Sequence, residues 1–241
     1  MLMSSSNPLL SNKLLASLPA GTIETIGAEL RRVDLVRGAV VYALGAQVDY
    51  LYFIIRGLAS LVMTMSDGRM VEIGAIGPEG VTGVNALFDV DTAPFETVIQ
   101  IPGEAYRIPV RKISGIMRRN PSVHDLMEGY VHVVLGQIAQ TAACNRLHST
   151  EERFCRWLLL SHDAARSDAF QLTHEFLAVM LGVHRVSVTH IAGEFQRMGI
   201  IRYHRGQMKI LDRPALQRKA CECYAAVQER AAQLLGSRTG S

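Results

Sequence analysis

Cysteine is scarce in this 241-residue chain: there are four, and none precedes Cys144. That is too few for a disulfide framework at this length, so reduced thiols are the expectation. No run approaches about 18 uninterrupted apolar residues. The most apolar window, 50–65, is broken by Arg56, Gly57 and Ser60, so a membrane partner is not expected. The stretch from Met1 to Pro8 lacks a basic segment leading into an apolar run, which argues against a secretory signal and for a cytoplasmic location. A P-loop, Gly-x-Ser-x-Gly, His-Glu-x-x-His and paired carboxylates in a site context are all missing, and no enzyme is expected. Gly77-Pro78-Glu79-Gly80 is a turn rather than a phosphate cradle. Finally, no Lys or Arg lies between Met70 and Tyr106.

What is present is an ordinary globular composition, 49% hydrophobic and 20% charged. The formal net charge of +3 hides a division along the chain. Residues 172–215 carry six cations (Arg185, Arg197, Arg202, Arg205, Lys209, Arg213) against Glu175, Glu194 and Asp212, and also four of the eight histidines. A basic segment behind a slightly acidic body suits an anionic partner such as nucleic acid, although a solvated basic face gives the same pattern.

Helical periodicity over 9–32, broken at Pro19-Ala20-Gly21, gives way from Val33 to about Pro109 to short β-rich runs. These include 51–55, 58–63, 70–73, 97–101 and 105–108, separated at Arg56-Gly57, Asp67-Gly68 and Pro102-Gly103. Asp67-Gly68 is the strongest hairpin signal. Many short strands at regular spacing predict an antiparallel sandwich or barrel. After Pro109 a short helix is expected to end at Asn120-Pro121, and a long one to begin with Ser122 as N-cap. Met127, Val131, Val134, Ile138, Thr141, Asn145 and His148 follow a 4-3-4-3 spacing. Such a helix either lies buried in one subunit or pairs with its own copy, and the straight seam favours pairing. Ser149-Thr150-Glu151-Glu152 reads as a capping sequence opening a further helix to about Ala165.

Residues 172–211 carry the functional signal. Thr173 is an N-cap, and Ala178, Gly182 and Val188 stand at helix-turn-helix spacing. A small residue permits close crossing, a glycine permits the left-handed turn, and an apolar anchor seats the second helix. That helix is expected from about His184 to Met198, stopped by Gly199. Its outward residues are donors and small side chains, as entry into a major groove requires. Ile200 to Leu211 reads as a basic hairpin, the wing of a winged helix. The plainer alternative is an αα-turn with a hairpin attached. Arg185, Val186, Thr189 and His190 are the candidate base readers, and Thr173, His184, Ser187, His204, Arg205 and Lys209 the candidate phosphate contacts. A protein partner for the winged helix, in an effector-binding or scaffold protein, is the competing reading.

With these parts in this order, including Tyr52-Phe53-Ile54-Ile55-Arg56-Gly57 and the long helix after Asn120-Pro121, the chain resembles the Crp/Fnr family of bacterial transcription regulators. The resemblance implies an α+β chain. Its parts would be an N-terminal antiparallel, jelly-roll-like β-roll sensor (1–120), a dimerisation helix (121–148), a winged helix-turn-helix (149–217) and a helical extension (218–241). It also implies a homodimer on double-stranded DNA, a small-molecule effector, and RNA polymerase as a further partner. Cyclic-nucleotide members follow a roll glycine with Glu and later place Arg on the phosphate. Here Gly83 precedes Val84 and Asn85, and the later pair falls near Pro94-Phe95. A buried phosphate would lack a cation, so cyclic AMP is disfavoured. A surviving pocket would comprise Gly83, Val84, Asn85, Leu87, Phe88, Phe95 and Thr97, faced by Gln137, Ile138 and Thr141; a packed core is the alternative. An iron–sulfur cluster is excluded without N-terminal cysteines. A haem role for His124 or His132 rests on residue type alone. Cys221 and Cys223, read on a helix, face different sides and are expected to be inert, so no metal site is expected. Where the family presents Arg, Glu and a later Arg, this chain has Arg185, Val186 and His190.

Overall fold

Asn12, fully buried, ties the N-terminal helices to the sheet. In the computed structural model, which describes residues 8–236, its Oδ1 caps α1 (Lys13–Ala16) by accepting from Leu15 N at 3.0 Å. Its Nδ2 donates to Ile54 O and Gly80 O, both at 2.8 Å. Next comes α2 (Ala20–Gly27). The strands are β1 (Arg31–Leu35), β2 (Val40–Tyr42), β3 (Tyr50–Thr64), β4 (Met70–Ile76), β5 (Val81–Thr82) and β6 (Glu96–Pro109). They form one antiparallel sheet in the order β1-β6-β3-β4, with β2 also on β6 and β5 on β3.

Two turns expected from the sequence are bulges instead. β3 and β6 run unbroken through Gly57 and Gly103, and their register shifts between Ile54 and Ala59. Gly57 has φ +103°, and a Cβ there would stand 2.6 Å from Ile101 O. A Cβ on Gly103 would collide with the carbonyl of Arg56. Only two glycines let the paired strands bend this sharply while staying hydrogen-bonded. The Asp67-Gly68 hairpin forms as expected: Met65 N donates to Arg69 O at 2.8 Å and Gly68 takes φ +83°.

The helices α3 (Val110–Arg119), α4 (Pro121–Leu147) and α5 (Thr150–Ala165) follow. Asn120, not Ser122, holds the N-cap position of α4, because Pro121 fits the first helical residue, where its missing N–H costs nothing. The Ser149–Glu152 capping box opens α5 as read, with Ser149 N donating to Glu152 Oε2 at 2.8 Å. A short β7 (Ala169–Gln171), not foreseen from the polar break, joins β8 (Ile201–His204) and β9 (Gln207–Ile210) in the order β7-β9-β8. Between them lie α6 (His174–Leu181) and α7 (Arg185–Arg197), and α8 (Arg213–Lys219) and α9 (Cys223–Gly236) close the described chain. The boundary expected at 217 therefore falls inside α8.

Two apolar cores result, one under the sheet and α1–α4, the other among α5–α8. Leu58, Val62, Ala75 and Ile101 of the sheet belong to the second, so the C-terminal unit sits directly on the outer face of β3, β4 and β6. The seam also carries buried polar groups. Ser60 Oγ donates to Glu72 Oε2 at 2.5 Å, beside Gln100 and beneath Arg156 and Trp157. Burial pushes the Glu72 carboxyl up to about 7, against the opposing pull of Ser60 and Arg156.

Candidate nucleic-acid interface

Local chemistry explains how the second helix of the helix-turn-helix is presented. Thr173 Oγ1 accepts from Phe176 N at 3.2 Å and starts α6. Gly182, at φ +62°, ends it, and α7 leaves at 113°, within the crossing range of this motif. Ala178 is buried at the crossing, while Val188, Ile191, Ala192 and Phe195 are buried on the inner face of α7. Phe195 packs edge-to-face on Phe154 of α5, with centroids 5.5 Å apart. Gly199 takes φ +73° just past the end of α7, as expected.

The outer face of α7 is open. Arg185, Val186, Ser187, Thr189 and His190 are all exposed, Val186 to 79%. Arg185 Nε lies 3.7 Å from Glu175 Oε2, with both side chains about two-thirds exposed or more. An ion pair so long and so wet holds the guanidinium weakly. Thr189 differs from the other candidates. Its hydroxyl donates back to Arg185 O at 3.0 Å and lies 3.1 Å from His174 Nδ1. His174 stacks on Tyr203 at 4.0 Å between centroids, and burial, then the Arg185 charge, lower its pKa. Thr189 therefore braces α7 against α6 and β8, a role with no sequence signal beyond a histidine in the basic segment.

The phosphate candidates divide similarly. Thr173 is committed to its cap. His184 occupies the N-cap position of α7 without a side-chain cap bond, and Ser187 is exposed one turn on. His204 and Arg205 sit at the wing tip, where Arg205 and Gly206 both take positive φ, +47° and +79°. That two-residue turn fixes the register and sets Arg202 opposite Lys209, both exposed. Sequence reasoning passed over Arg202, although a two-residue turn at Arg205-Gly206 would have revealed it.

The expected effector residues are largely taken up in packing and local hydrogen bonds. Val84 and Leu87 belong to the first core, and Thr97 is also buried. Gly83, at φ +78°, has no room for a Cβ beside Tyr42 and Val48. Asn85 Nδ2 donates to Val90 O and Thr92 O at 2.7 and 3.0 Å, closing its own loop. Phe88 meets His124 edge-on and Phe95 packs at the core margin. Gln137 Nε2 donates to Ala75 O at 2.6 Å, Thr141 Oγ1 accepts from Arg156, and Ile138 is half-buried. A cavity of about 610 Å³ opens elsewhere, between the 77–80 turn, α4, α5 and α9, and shares only Gln137 with that set.

The seam on α4 is also divided. Met127, Val134 and Thr141 are buried within the chain, Val131 and Ile138 are half-buried, and Asn145 is exposed. The sheet claims one flank of the helix, and α9 claims another through Gly129 and Gly136, where a Cβ would come 2.5 Å from Leu234 and Arg230 respectively. The stripe left open runs through Glu128, His132, Leu135, Ala139 and Ala142, with Leu135 57% exposed.

Comparison with known proteins agrees with this architecture. Residues 32–120 match the cyclic nucleotide-binding domain family, and residues 152–219 match the Crp-like helix-turn-helix domain. The chain is 26% identical over 224 residues to a CRP-like cAMP-activated global transcriptional regulator of Mycobacterium tuberculosis, covering 82% of this chain and 92% of that one. It is 20% identical over 193 residues to a global nitrogen regulator of Synechococcus elongatus, covering 76% and 86% respectively. Its fold matches FixK2 from Bradyrhizobium japonicum with a TM-score of 0.66 at 15% identity, covering 80% of this chain and 98% of that one. A Crp/Fnr transcriptional regulator from Thermus thermophilus matches with a TM-score of 0.65 at 21% identity, over 79% and 98%. A roll seated against a winged helix that presents an open, cation-bearing α7, matched at both ends by these families, places the chain in the Crp/Fnr family of DNA-binding transcription regulators.

Proposed function

We propose that the protein acts as a cytoplasmic homodimer that reads DNA with Arg185, Val186 and His190, while His184, Ser187, Arg202, His204, Arg205 and Lys209 hold phosphates. The observation that carries this reading is the exposed first turn of α7, free of acidic residues, beside a wing with cations at its tip and on its strands. Arg185 suits the bidentate contact to guanine. Val186 cannot accept from cytosine but can touch a thymine methyl, so the half-site keeps its G and drifts beside it. The open stripe on α4 supports pairing of two chains about a two-fold axis. A sheet stretch without a single cation between Met70 and Tyr106 supports an effector other than a cyclic nucleotide. Contact with RNA polymerase would follow from promoter binding.

Selection of bound sequences by the full-length protein, followed by titration of the variants, tests the roles. Arg185→Ala should lose about 1–3 kcal/mol of discrimination at one base pair. Arg205→Ala should weaken binding evenly across sequences and lower the salt slope by about one. Equal losses on selected and random DNA for both variants would overturn the assignment.

A further inference from the structure

Three of the four cysteines meet a histidine at one point. Cys144 lies in the last turn of α4, and His148 is the residue that caps its end, its N–H donating to Cys144 O. Cys221 lies in the extended joint after α8 and Cys223 at the start of α9. The helical reading that pointed these two thiols to different sides fails because Cys221 precedes the helix. One ligand atom from each of the four residues lies within 4.8 Å of every other, and the three thiols are buried.

Two of the spacings match those around a single ion. With metal–sulfur and metal–nitrogen bonds of about 2.3 and 2.0–2.1 Å, a tetrahedron has edges of about 3.8 Å between sulfurs and about 3.6 Å between sulfur and nitrogen. Cys144 Sγ lies 3.6 Å from Cys221 Sγ, and Cys223 Sγ lies 3.5 Å from His148 Nδ1. The outer contacts also suit a metal. His148 Nε2 is 3.0 Å from Glu222 Oε2, the carboxylate–histidine arrangement that fixes the ring and leaves Nδ1 free to ligate. Gln140 Nε2 donates to Cys223 Sγ at 3.0 Å. The charges of Arg153 and Arg156 act on the sulfurs, Arg156 on Cys144 and Arg153 on Cys144 and Cys221, and the Nε of each is buried without a hydrogen-bond partner among the described residues. Three thiolates and one imidazole around a divalent ion carry a net charge of −1, which these cations offset.

We propose that Cys144, His148, Cys221 and Cys223 form a tetrahedral site for one zinc-class divalent ion. Each thiol releases its proton to solvent as it ligates. The ion fastens the joint between α8 and α9 to the end of α4, beside the start of α5.

Metal analysis of the full chain, freed of any histidine tag, followed by anaerobic exchange with Co²⁺, tests the site. The expected result is one zinc per chain and the intense visible bands of tetrahedral thiolate-bound Co²⁺. Cys221→Ser with Cys223→Ser should abolish both, and Glu222→Gln should weaken binding about 10–100-fold. Cys155→Ser should leave them intact, since that thiol, raised to about 12 chiefly by burial, lies outside the cluster. An octahedral Co²⁺ spectrum in the wild-type chain, or an unchanged spectrum in the double variant, would overturn the site. A Cys144–Cys221 disulfide in protein isolated under reducing conditions would do the same. The wild-type Co²⁺ spectrum decides the matter even if the double variant does not fold.

Discussion

The winged helix and the roll use the same kinds of residue to opposite ends. In α7 the polar and small side chains face solvent, over an apolar underside anchored by Val188 and Phe195. Around the expected pocket, on the roll and on the facing side of α4, the comparable polar set is turned inward or spent locally: Asn85 closes its own loop, Gln137 holds Ala75, and Thr141 holds Arg156. A side chain available to a partner is one that the fold itself leaves unused, and by that measure the recognition face is far better equipped than the expected pocket.

Removing the anchor of α7 should break the contrast most strongly. Phe195→Ala is expected to cost about 3–5 kcal/mol, read as a lower Tm with DNA affinity lost and the sheet intact. A wild-type Tm would place the anchorage elsewhere. Next comes the seam joining the two regions. Glu72 has a raised pKa in the folded chain, so the native state binds more protons than the unfolded one between the ordinary carboxylate value and about 7. Stability should therefore fall as pH rises through that window, by up to about 3 kcal/mol. Glu72→Gln should flatten the profile, and a variant retaining the full slope would reassign it to another group. Asn85→Ala should cost about 1 kcal/mol in denaturant melts and leave DNA affinity unchanged. A shift in affinity at constant stability would restore Asn85 to an effector role. The smallest effect should come from Glu175→Gln, which frees Arg185: stability within about 0.5 kcal/mol and tighter DNA binding at low salt, with weaker binding as the contrary result.

Much of this was legible because it is written locally. Thr173, Gly182 and Gly199 each act within a few residues of themselves, so the start, turn and stop of the helix-turn-helix could be placed from the chain alone, as could the Ser149–Glu152 box. What escaped depends on a distant partner. Gly57 and Gly103 look like turn residues until each is seen against the other's strand. Met127 and Val134 look like a dimer seam until the sheet closes over them. Cys221 and Cys223 give no sign of meeting Cys144 and His148 until α9 is seen folded back onto α4.

Arg153 carries a consequence for how an event in one half reaches the other. Its Nη1 donates to Asn145 Oδ1 near the end of α4 at 3.2 Å and to Leu181 O, the last carbonyl of α6, at 2.8 Å. One rigid guanidinium thus works as a crank pin between the shaft along which two chains would align and the elbow that aims α7. Were that shaft to rotate by a fraction of a turn, this contact would carry the motion to the elbow without a change inside the winged helix itself.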